Sequence, residues 1–328
     1  MQVLKVQAKC VVDAEGRIDH ILSALERGFK EFGPSDAHDK EICVVGSGPS
    51  IKSQLRKIRT LRKSGAMILA IKGAHDFLIQ NNILPDAAVA VDPLPHIIKC
   101  FRKKLPKGEL KRPAYLIASQ CCPEVFDYLA DQNVILWHLL APSAAKTLEG
   151  RLMIGGGSTS GSRGIVLGWM MGFRTFHLFG FDSCLQGDGK NKLRKITGER
   201  WGGKNKDGKT ENILELVCEG KTYYADPAMA AQATEIQDVI KMLEGSRFKA
   251  YGKGLIQTIF KANAKKGWEG YYAVSDQFGD CRVPPVRPKD AENARRELDA
   301  DGKGVFRGSA YYSNLVSPER AGVAVVPG

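Results

Sequence analysis

The fold is decided by the stretch Glu41-Ile-Cys-Val-Val-Gly-Ser-Gly-Pro-Ser50, in which a short apolar run passes directly into a glycine turn. Beyond the turn, apolar residues recur from residue 51 to residue 61 at three- and four-residue steps, which is the spacing of one helix face. Proline is favoured in the first turn of a helix, and Pro49 lies at that point. The stretch therefore predicts a strand, a glycine-rich turn and a helix.

The same alternation continues along the chain. Further apolar runs predict strands at 66–71, 87–91, 115–118, 134–138 and 175–179, and helical spacing predicts helices at 74–81, 161–171 and 227–243. Continuous apolar strands that alternate with helices are typical of a mostly parallel sheet covered on both faces. We therefore predict an α/β fold with a Rossmann-like, doubly wound sheet.

Changes in pattern divide the chain into three parts. Residues 1–40 form an N-terminal segment with an amphipathic helix, since Ile18, Ile21, Leu22, Leu25 and Phe29 are helically spaced. Residues 41–263 carry the alternating pattern and form the predicted nucleotide-binding domain. From 264 to 328 the alternation ends and proline and glycine become frequent, which predicts an irregular C-terminal extension.

The charge of the chain favours an anionic partner. The 328 residues carry a formal net charge of +12, which suits a nucleotide, an anionic sugar or a nucleic acid. The sequence lacks the aromatic and basic surface motif of a known nucleic-acid reader, so nucleic acid is the least favoured of the three. Residues 190–209 contain eight lysines and arginines against two acidic residues. This loop is either a solvated segment or a lid that closes over phosphate or an acidic acceptor.

No feature of the sequence indicates a membrane or an oxidising compartment. No apolar run has the length of a membrane helix, and the first residues lack the apolar block of a signal peptide. The eight cysteines include no C-x-x-C pair, so free buried thiols are expected rather than disulfides or a zinc site. We expect a cytoplasmic protein without a membrane partner.

Two glycine turns are the candidate phosphate-binding elements. Each follows a predicted strand or loop and precedes a helix, where glycine lets an anion approach free backbone N–H groups and the helix dipole favours it. A tight turn without a ligand has the same pattern, but two such turns could hold opposite ends of one nucleotide. The residues proposed for nucleotide binding are Gly46, Ser47, Gly48, Pro49, Ser50, Gly155, Gly156, Gly157 and Ser158.

Two carboxylates at predicted strand ends are the candidate catalytic and metal-binding residues. Asp92 closes the strand at 87–91, and Asp182 follows the strand at 175–179. Carboxylates in these positions can hold Mg²⁺, orient a ribose or act as a base, or they can cap the following loop. His75 and His138 lie beside apolar runs and are expected to be satisfied within the core.

Four short motifs, taken in order, resemble the MptE-like family. They are Val44-Val-Gly-Ser-Gly-Pro-Ser50, Asn82-Ile-Leu-Pro-Asp-Ala-Ala-Val-Ala-Val-Asp92, Gly155-Gly-Gly-Ser158 and Leu178-Phe-Gly-Phe-Asp182. The resemblance covers about residues 41–260. The family includes archaeal 6-hydroxymethylpterin diphosphokinases and the related motility accessory factor proteins, regarded as sugar transferases of flagellin. Segments 222–226 and 251–255 resemble bacterial and phage members.

The resemblance implies nucleotide phosphates near Gly46, Gly48 and Ser50, and metal or nucleotide contacts at Asp92 and Asp182. One departure is the turn at 71–74, where an Asn-Gly type of turn is expected and Lys72-Gly73 stands instead. The implied activity is transfer of diphosphate from ATP, with Mg²⁺, to a small-molecule acceptor such as a hydroxymethylpterin.

Two alternatives remain open at this point. The first is a glycosyltransferase that uses a nucleotide-activated acidic sugar, with His138 or Tyr223 as acid or base. The second is a non-catalytic nucleotide-binding module or phage assembly module.

Overall fold

The computed structural model describes residues 12–103, 113–186, 213–243 and 245–265, and the backbone of 192–193, 200–201 and 323–324. The strands are β1 (Lys30–Glu31), β2 (His38–Val45), β3 (Met67–Ile71), β4 (Ala87–Ala90), β5 (Ala114–Ala118), β6 (Asn133–Leu139), β7 (Met153–Ile154), β8 (Phe173–Phe179), β9 (Lys192–Leu193), β10 (Arg200–Trp201), β11 (Leu214–Cys218), β12 (Lys221–Ala225), β13 (Arg247–Tyr251) and β14 (Val323–Ala324). The helices are α1 (Ala14–Glu26), α2 (Ile51–Lys63), α3 (Ala74–Gln80), α4 (Pro123–Tyr128), α5 (Ser160–Met170), α6 (Pro227–Met242) and α7 (Leu255–Lys265). Short 3₁₀ helices cover Pro95–Cys100 and Pro142–Ala144.

One mostly parallel sheet organises the described residues. Its strand order is β13-β8-β2-β3-β4-β5-β6-β7-β14, with β1 beside β6. All neighbouring strands run parallel except β14, which is antiparallel to β7. From β2 the chain adds β3 to β6 on one side and then returns to place β8 and β13 on the other. The strand order therefore reverses between β2 and β8, which is the position where open α/β sheets bind ligands.

The central strands are apolar because both of their faces are covered. Every residue from Ile42 to Val45 is fully buried, and so is every residue from Ala87 to Ala90 to within 1%. Helix α5 packs on the middle of the sheet, and its glycines allow close approach, since a Cβ at Gly164 would meet the side chain of Ile71. Close packing of this kind holds the ends of β2, β3 and β8 at fixed positions.

The predicted α/β fold with a mostly parallel, doubly wound sheet is confirmed. Each predicted strand and helix is present within a few residues of its expected bounds, although β2 begins at His38 rather than at Glu41. The sequence reading missed β1, β7, α4, the β11–β12 hairpin, β13 and α7. The three domain boundaries stay a prediction. Most of the extension at 264–328 and most of the basic loop lie outside the described residues. The parts of the extension that are described are the last two residues of α7 and strand β14.

The helices and the cysteines of the described residues bear on two further points. None of the helices that the structure describes has both the length and the apolar character that crossing a membrane requires. Cys43, Cys121, Cys122 and Cys184 are free thiols and are buried. The expectation of buried free thiols is confirmed for these four positions.

Candidate functional site

A cleft of about 1120 Å³ opens where β2, β3, β4 and β8 end. Its walls bring together residues 46–48, residues 71–73, Asp92, residues 159–161 and residues 180–184. Both predicted carboxylates and part of the first glycine turn therefore share one cavity. The cleft lies beside the point where the strand order reverses, the expected ligand position in a doubly wound sheet.

The first glycine turn rests directly on the end of β8. The N–H group of Gly46 donates to the carbonyl oxygen of Phe179 over 2.7 Å, and that of Gly48 donates to the carbonyl oxygen of Gly180 over 2.9 Å. A Cβ at Gly46 would lie 2.7 Å from the Gly180 oxygen, and a Cβ at Gly48 would overlap the Asp182 carboxylate. These glycines are therefore needed for packing within the chain. Their predicted contact with phosphate stays a prediction.

Asp182 caps the start of helix α2. Its Oδ2 accepts a hydrogen bond from the backbone N–H of Ser50 over 3.0 Å. The residue is 4% exposed, and burial raises the pKa of its carboxyl group above the usual range, while the hydrogen bond from Ser50 opposes that rise. The carboxylate thus lies where a phosphate would interact with the helix N-terminus.

The second glycine turn is held by helix α6. Gly156 and Gly157 have φ angles of +102° and +82°, in the left-handed region that favours glycine. The backbone N–H of Ser158 donates to Glu235, and the Ser158 hydroxyl donates to the same carboxylate over 3.0 Å. Burial raises the pKa of Glu235. Among the described residues of this segment, the cleft is lined by residues 159–161 rather than by residues 155–158.

Helix α5 begins inside the cleft. The side chain of Thr159 caps the helix by accepting from the N–H of Ser162, and the Ser162 hydroxyl bonds back to the Thr159 backbone. Gln232 of α6 donates to Thr159 Oγ1 over 3.1 Å and accepts from Ser183 Oγ over 3.2 Å. The helix start is therefore fixed by partners on both sides of the cleft.

Asp92 forms a polar cluster with Lys72 and His96 on the cleft wall. Its Oδ2 lies 3.3 Å from Lys72 Nζ and 3.6 Å from His96 Nε2. Lys72 adopts a φ angle of +47°, which is unusual for a residue with a side chain. The turn that departs from the expected Asn-Gly sequence thus keeps the left-handed backbone that such a turn requires, and it supplies a cation to the cleft.

One rim of the cleft is basic and is anchored by Asp76. The backbone N–H groups of Arg102 and Lys103 donate to its carboxylate over 3.0 and 3.1 Å. His75 Nδ1 lies 2.8 Å from the same carboxylate and its Nε2 lies 3.1 Å from the Tyr115 hydroxyl. The expected core role of His75 is confirmed, because the ring is fully buried and paired on both nitrogens.

The carboxylates differ in how well they fit Mg²⁺. Within the described ranges, no group of three or more His, Cys, Asp or Glu side chains is arranged to hold a metal ion. Mg²⁺ in nucleotide sites is commonly held by one or two carboxylates together with phosphate oxygens. The Asp92 side chain is 25% exposed and faces the cleft, which suits this role. Its Oδ1 also accepts from the backbone N–H of Leu94 over 3.2 Å and so caps the following loop. Asp182 is committed to the α2 cap, so its predicted metal role has an internal competitor.

The acid and base groups considered for sugar transfer lie elsewhere. His138 is 1% exposed, with Nδ1 3.0 Å from Ser119 Oγ and Nε2 3.2 Å from Glu31 Oε2. The hydroxyl of Tyr223 is hydrogen-bonded to Thr258 within the core. Neither residue lines the cleft. His138 is instead a satisfied core histidine, as the sequence reading expected.

Sequence reasoning missed several residues that the structure brings to the cleft. These include Lys72, His96, Ser160 and Gln232. His96 carried a signal, because it lies four residues after Asp92 at the start of a short helix. Gln232 carried none, since only the packing of α6 against the start of α5 places it there.

Comparisons with known proteins bear on the family and the fold of the chain. The model of one protein family, described as 6-hydroxymethylpterin diphosphokinase MptE-like, matches residues 16–188. No curated protein matches the chain. Among solved structures, the MAf glycosyltransferase from Magnetospirillum magneticum AMB-1 is similar with a TM-score of 0.55 and 16% identity. The match covers 76% of this chain but 38% of that one, so the chain spans well under half of its neighbour, and the likeness concerns the fold.

Proposed function

The chain belongs to the 6-hydroxymethylpterin diphosphokinase MptE-like family, and from this premise we propose that it is a transferase whose transferred group comes from a nucleotide bound in the cleft. The observation that carries the proposal is the meeting of Lys72, Asp92 and the start of α5 on one cavity at the reversal of strand order. A cation, a carboxylate and a helix N-terminus are the groups that position phosphates.

The activity we favour is diphosphate transfer from ATP to a hydroxymethyl acceptor such as a pterin. The acceptor oxygen would bond to the β-phosphorus, the bond from that phosphorus to the oxygen bridging the α-phosphate would break, and AMP would leave. The hydroxyl proton would pass to a base. Phosphoryl transfer depends mainly on positioning and on charge stabilisation, and Lys72 supplies positive charge at the cleft wall.

Asp92 is the residue that we propose for Mg²⁺, together with oxygens of the nucleotide phosphates. Bound there, the ion would offset negative charge on the phosphates. Lys72 lies 3.3 Å from Asp92 and orients its carboxylate. His96 lies 3.6 Å from the same oxygen and is half exposed, so it is the imidazole best placed on this wall to exchange a proton with an acceptor.

A glycosyltransferase is the second candidate, and the structural neighbour favours it. The fold of a MAf glycosyltransferase overlaps 76% of this chain. A nucleotide-activated acidic sugar would place its phosphate in the same cleft. The acceptor oxygen would bond to the anomeric carbon, the bond from that carbon to the phosphate oxygen would break, the nucleotide would leave, and the acceptor proton would pass to a base. His138 and Tyr223 would not take part, since both lie in the core.

The test is a thermal-shift panel of ATP, GTP, CMP, UDP and GDP, each with and without Mg²⁺, followed by product analysis with the best binder. A ligand at a hundredfold excess over its Kd adds about 2.7 kcal/mol of stability, which is easily measured as a rise in Tm. We expect ATP to stabilise the protein more strongly with Mg²⁺ than without it. Metal-independent stabilisation by CMP or UDP without a response to ATP would favour the glycosyltransferase.

A matched pair of variants assigns the metal response. Asp92→Asn should remove the difference between ATP with and without Mg²⁺. Asp127→Asn is the control, because Asp127 is 64% exposed and pairs with Arg27 away from the cleft. Stabilisation by a nucleotide without any turnover would support a binding module, and no response to any nucleotide would contradict the proposed function.

A further inference from the structure

Helix α5 presents unpaired backbone donors to the cleft. It has 11 residues and begins at Ser160, and the first N–H groups of any helix lack an intrahelical acceptor. The cap at Thr159 accepts from Ser162. Within the described part of the chain, no group accepts from the N–H of Ser160 or Gly161. Both residues line the cleft.

The side chain of Ser160 is a second and independent sign of a ligand. The residue is 5% exposed, and its Oγ has no hydrogen-bond partner among the residues that the structure describes. Buried hydroxyl groups are almost always hydrogen-bonded, so each exception calls for a cause. The Oγ atom itself is closed to solvent, so it would reach a ligand by rotation about χ1, which has three staggered positions. Ser160 borders the cavity.

The two glycine turns are less available, because the chain itself fills them with oxyanions. The Asp182 carboxylate accepts from the N–H of Ser50, and the Glu235 carboxylate accepts from the N–H and hydroxyl of Ser158. These two contacts show that oxyanions fit the backbone donors in this part of the fold. The N–H groups of Ser160 and Gly161 are donors of the same kind. Within the described residues no carboxylate accepts from them, while Glu235 binds Ser158 two residues earlier.

We propose that a phosphate group of the nucleotide binds at the start of α5, with the hydroxyl of Ser160 and the backbone N–H groups of Ser160 and Gly161 as donors. This inference rests on the proposed function, and it moves the phosphate site from the turn at 46–50 to the turn at 159–161. Two features suit an anion there: the positive end of the α5 dipole and the ammonium group of Lys72 on the same cleft.

Carboxylates that share the cleft have their own partners. Asp92 is paired with Lys72, and Asp226 caps α6 by accepting from the N–H of Met229 over 2.7 Å. Asp182 accepts from Ser50, as described above. An external oxyanion would therefore form new hydrogen bonds with the N–H groups at the start of α5 rather than replace an existing partner.

The test measures binding of inorganic pyrophosphate by calorimetry to the full chain and to Ser160→Ala. We expect at least a tenfold weaker affinity in the variant, because a hydrogen bond to a charged oxygen is lost. Ser246→Ala is the matched control, since Ser246 is also buried with an unpartnered hydroxyl but lies outside the cleft. It should bind pyrophosphate as the unchanged chain does. Equal affinities for Ser160→Ala and the unchanged chain, or no pyrophosphate binding at all, would overturn the site.

A second variant keeps the site testable if Ser160→Ala does not fold. Ser160→Pro removes both the hydroxyl and the N–H group at a first-helical position, where proline is tolerated. Thr159 already has φ −110° and ψ 157°, the extended conformation that a residue before proline adopts. This variant should lose pyrophosphate binding while keeping its helical circular dichroism. A folded Ser160→Pro chain that binds pyrophosphate normally would overturn the proposal.

The proposed function and the phosphate site fail in different ways. Pyrophosphate tests the site without any assumption about the base, the sugar or turnover. Suppose that pyrophosphate binding depends on Ser160 but that no nucleotide in the panel raises the Tm. This result would support the site and contradict the proposed function. Nucleotide binding that Ser160→Ala and Ser160→Pro both leave unchanged would support the function and overturn the site.

Discussion

At the scale of single residues, two of the four described non-glycine residues with a positive φ angle line the cleft. Lys72 and Ser183 both line it, with φ angles of +47° and +46°. The left-handed region of φ is unfavourable for a residue with a side chain, and residues in such conformations are enriched at functional sites. Lys72 combines that cost with a charge in the cleft, so its backbone and its side chain have separable effects.

Replacement of Lys72 by glycine should separate stability from binding. Glycine adopts the left-handed conformation without strain but gains entropy in the unfolded chain, so we expect the stability of Lys72→Gly to change by about 1 kcal/mol or less. Nucleotide affinity should fall at least tenfold, because the cation is gone. Urea unfolding and calorimetry measure the two effects.

The control for this variant is Glu219→Gly. Glu219 has a φ angle of +49° in the turn between β11 and β12, away from the cleft. It should show a similar change in stability and unchanged nucleotide affinity. A Lys72→Gly chain with full affinity would contradict the role of this ammonium group.

Gly48→Ala should destabilise the folded protein by about 1–3 kcal/mol, the usual range for overpacking. The new Cβ would overlap the Asp182 carboxylate and the carbonyl oxygen of Gly180. Gly73→Ala is the control, because a Cβ at Gly73 has no neighbour within 4 Å. Denaturant unfolding compares the two, and equal stability would show that the turn moves away from β8.

The sequence predicted Asp92, Asp182 and the glycine turn at 46–50 because each lies at a strand end. It did not predict that the Asp182 carboxylate would accept a hydrogen bond from the N–H of Ser50. The two residues are distant in the chain and come together through the pairing of β2 with β8. Lys72 was noticed only as a departure from a motif. Its link to Asp92 comes from the adjacency of β3 and β4, which a single sequence does not specify.

At the scale of elements, buried histidines on two strands make stability depend on pH. Burial lowers the pKa of His138 on β6 and of His177 on β8, and the nearby Glu31 and Glu41 oppose that shift. Below the ordinary histidine pKa of about 6.5, the unfolded chain therefore binds more protons than the folded chain. These histidines should lower the stability as the pH falls below about 6.5.

His138→Gln tests this contribution by urea unfolding at several pH values between about 5 and 8. Its stability should fall less steeply with acid than that of the unchanged chain. Asp182 and Glu235 give the stability the opposite pH dependence. Because folding raises the pKa of both carboxyl groups, their contribution to stability is lost as the pH rises. Comparison between variants cancels that effect.

Identical slopes for His138→Gln and the unchanged chain would mean that His138 does not change its proton affinity on folding.

Apolar runs predicted the strands that are buried on both faces, as in β3, β4 and β5. They did not predict β11, because its residues alternate between exposed and half-buried positions, with Val217 72% exposed. They also failed for β1 and β7, which have two residues each and leave no period to detect. These short strands form through pairing with β6 rather than through their own sequence preference.

At the scale of the whole molecule, a small hydrophobic cluster lies around Leu148, and one large cluster joins most of the described helices and strands. The large cluster extends from Ala24 of α1 to Phe260 of α7. We therefore expect a chain truncated after Lys265 to unfold cooperatively. Among the described residues, the truncation removes from the sheet the two residue pairs between β7 and β14. Circular dichroism during urea unfolding tests this, and a broad transition without cooperativity would show that residues 266–328 belong to the core.

The pairing of β2 with β8 also bears on how the protein is made. Val45 pairs with Phe179, and all of β3 to β7 lies between them in the chain. During synthesis from the N-terminus, β2 to β6 emerge first and can assemble side by side, but β2 keeps one open edge until β8 leaves the ribosome. Contacts so distant in sequence close slowly. The cleft is therefore among the last parts of the sheet to form, and a nascent chain that ends before Asp182 has neither the cap on α2 nor a complete wall for a ligand.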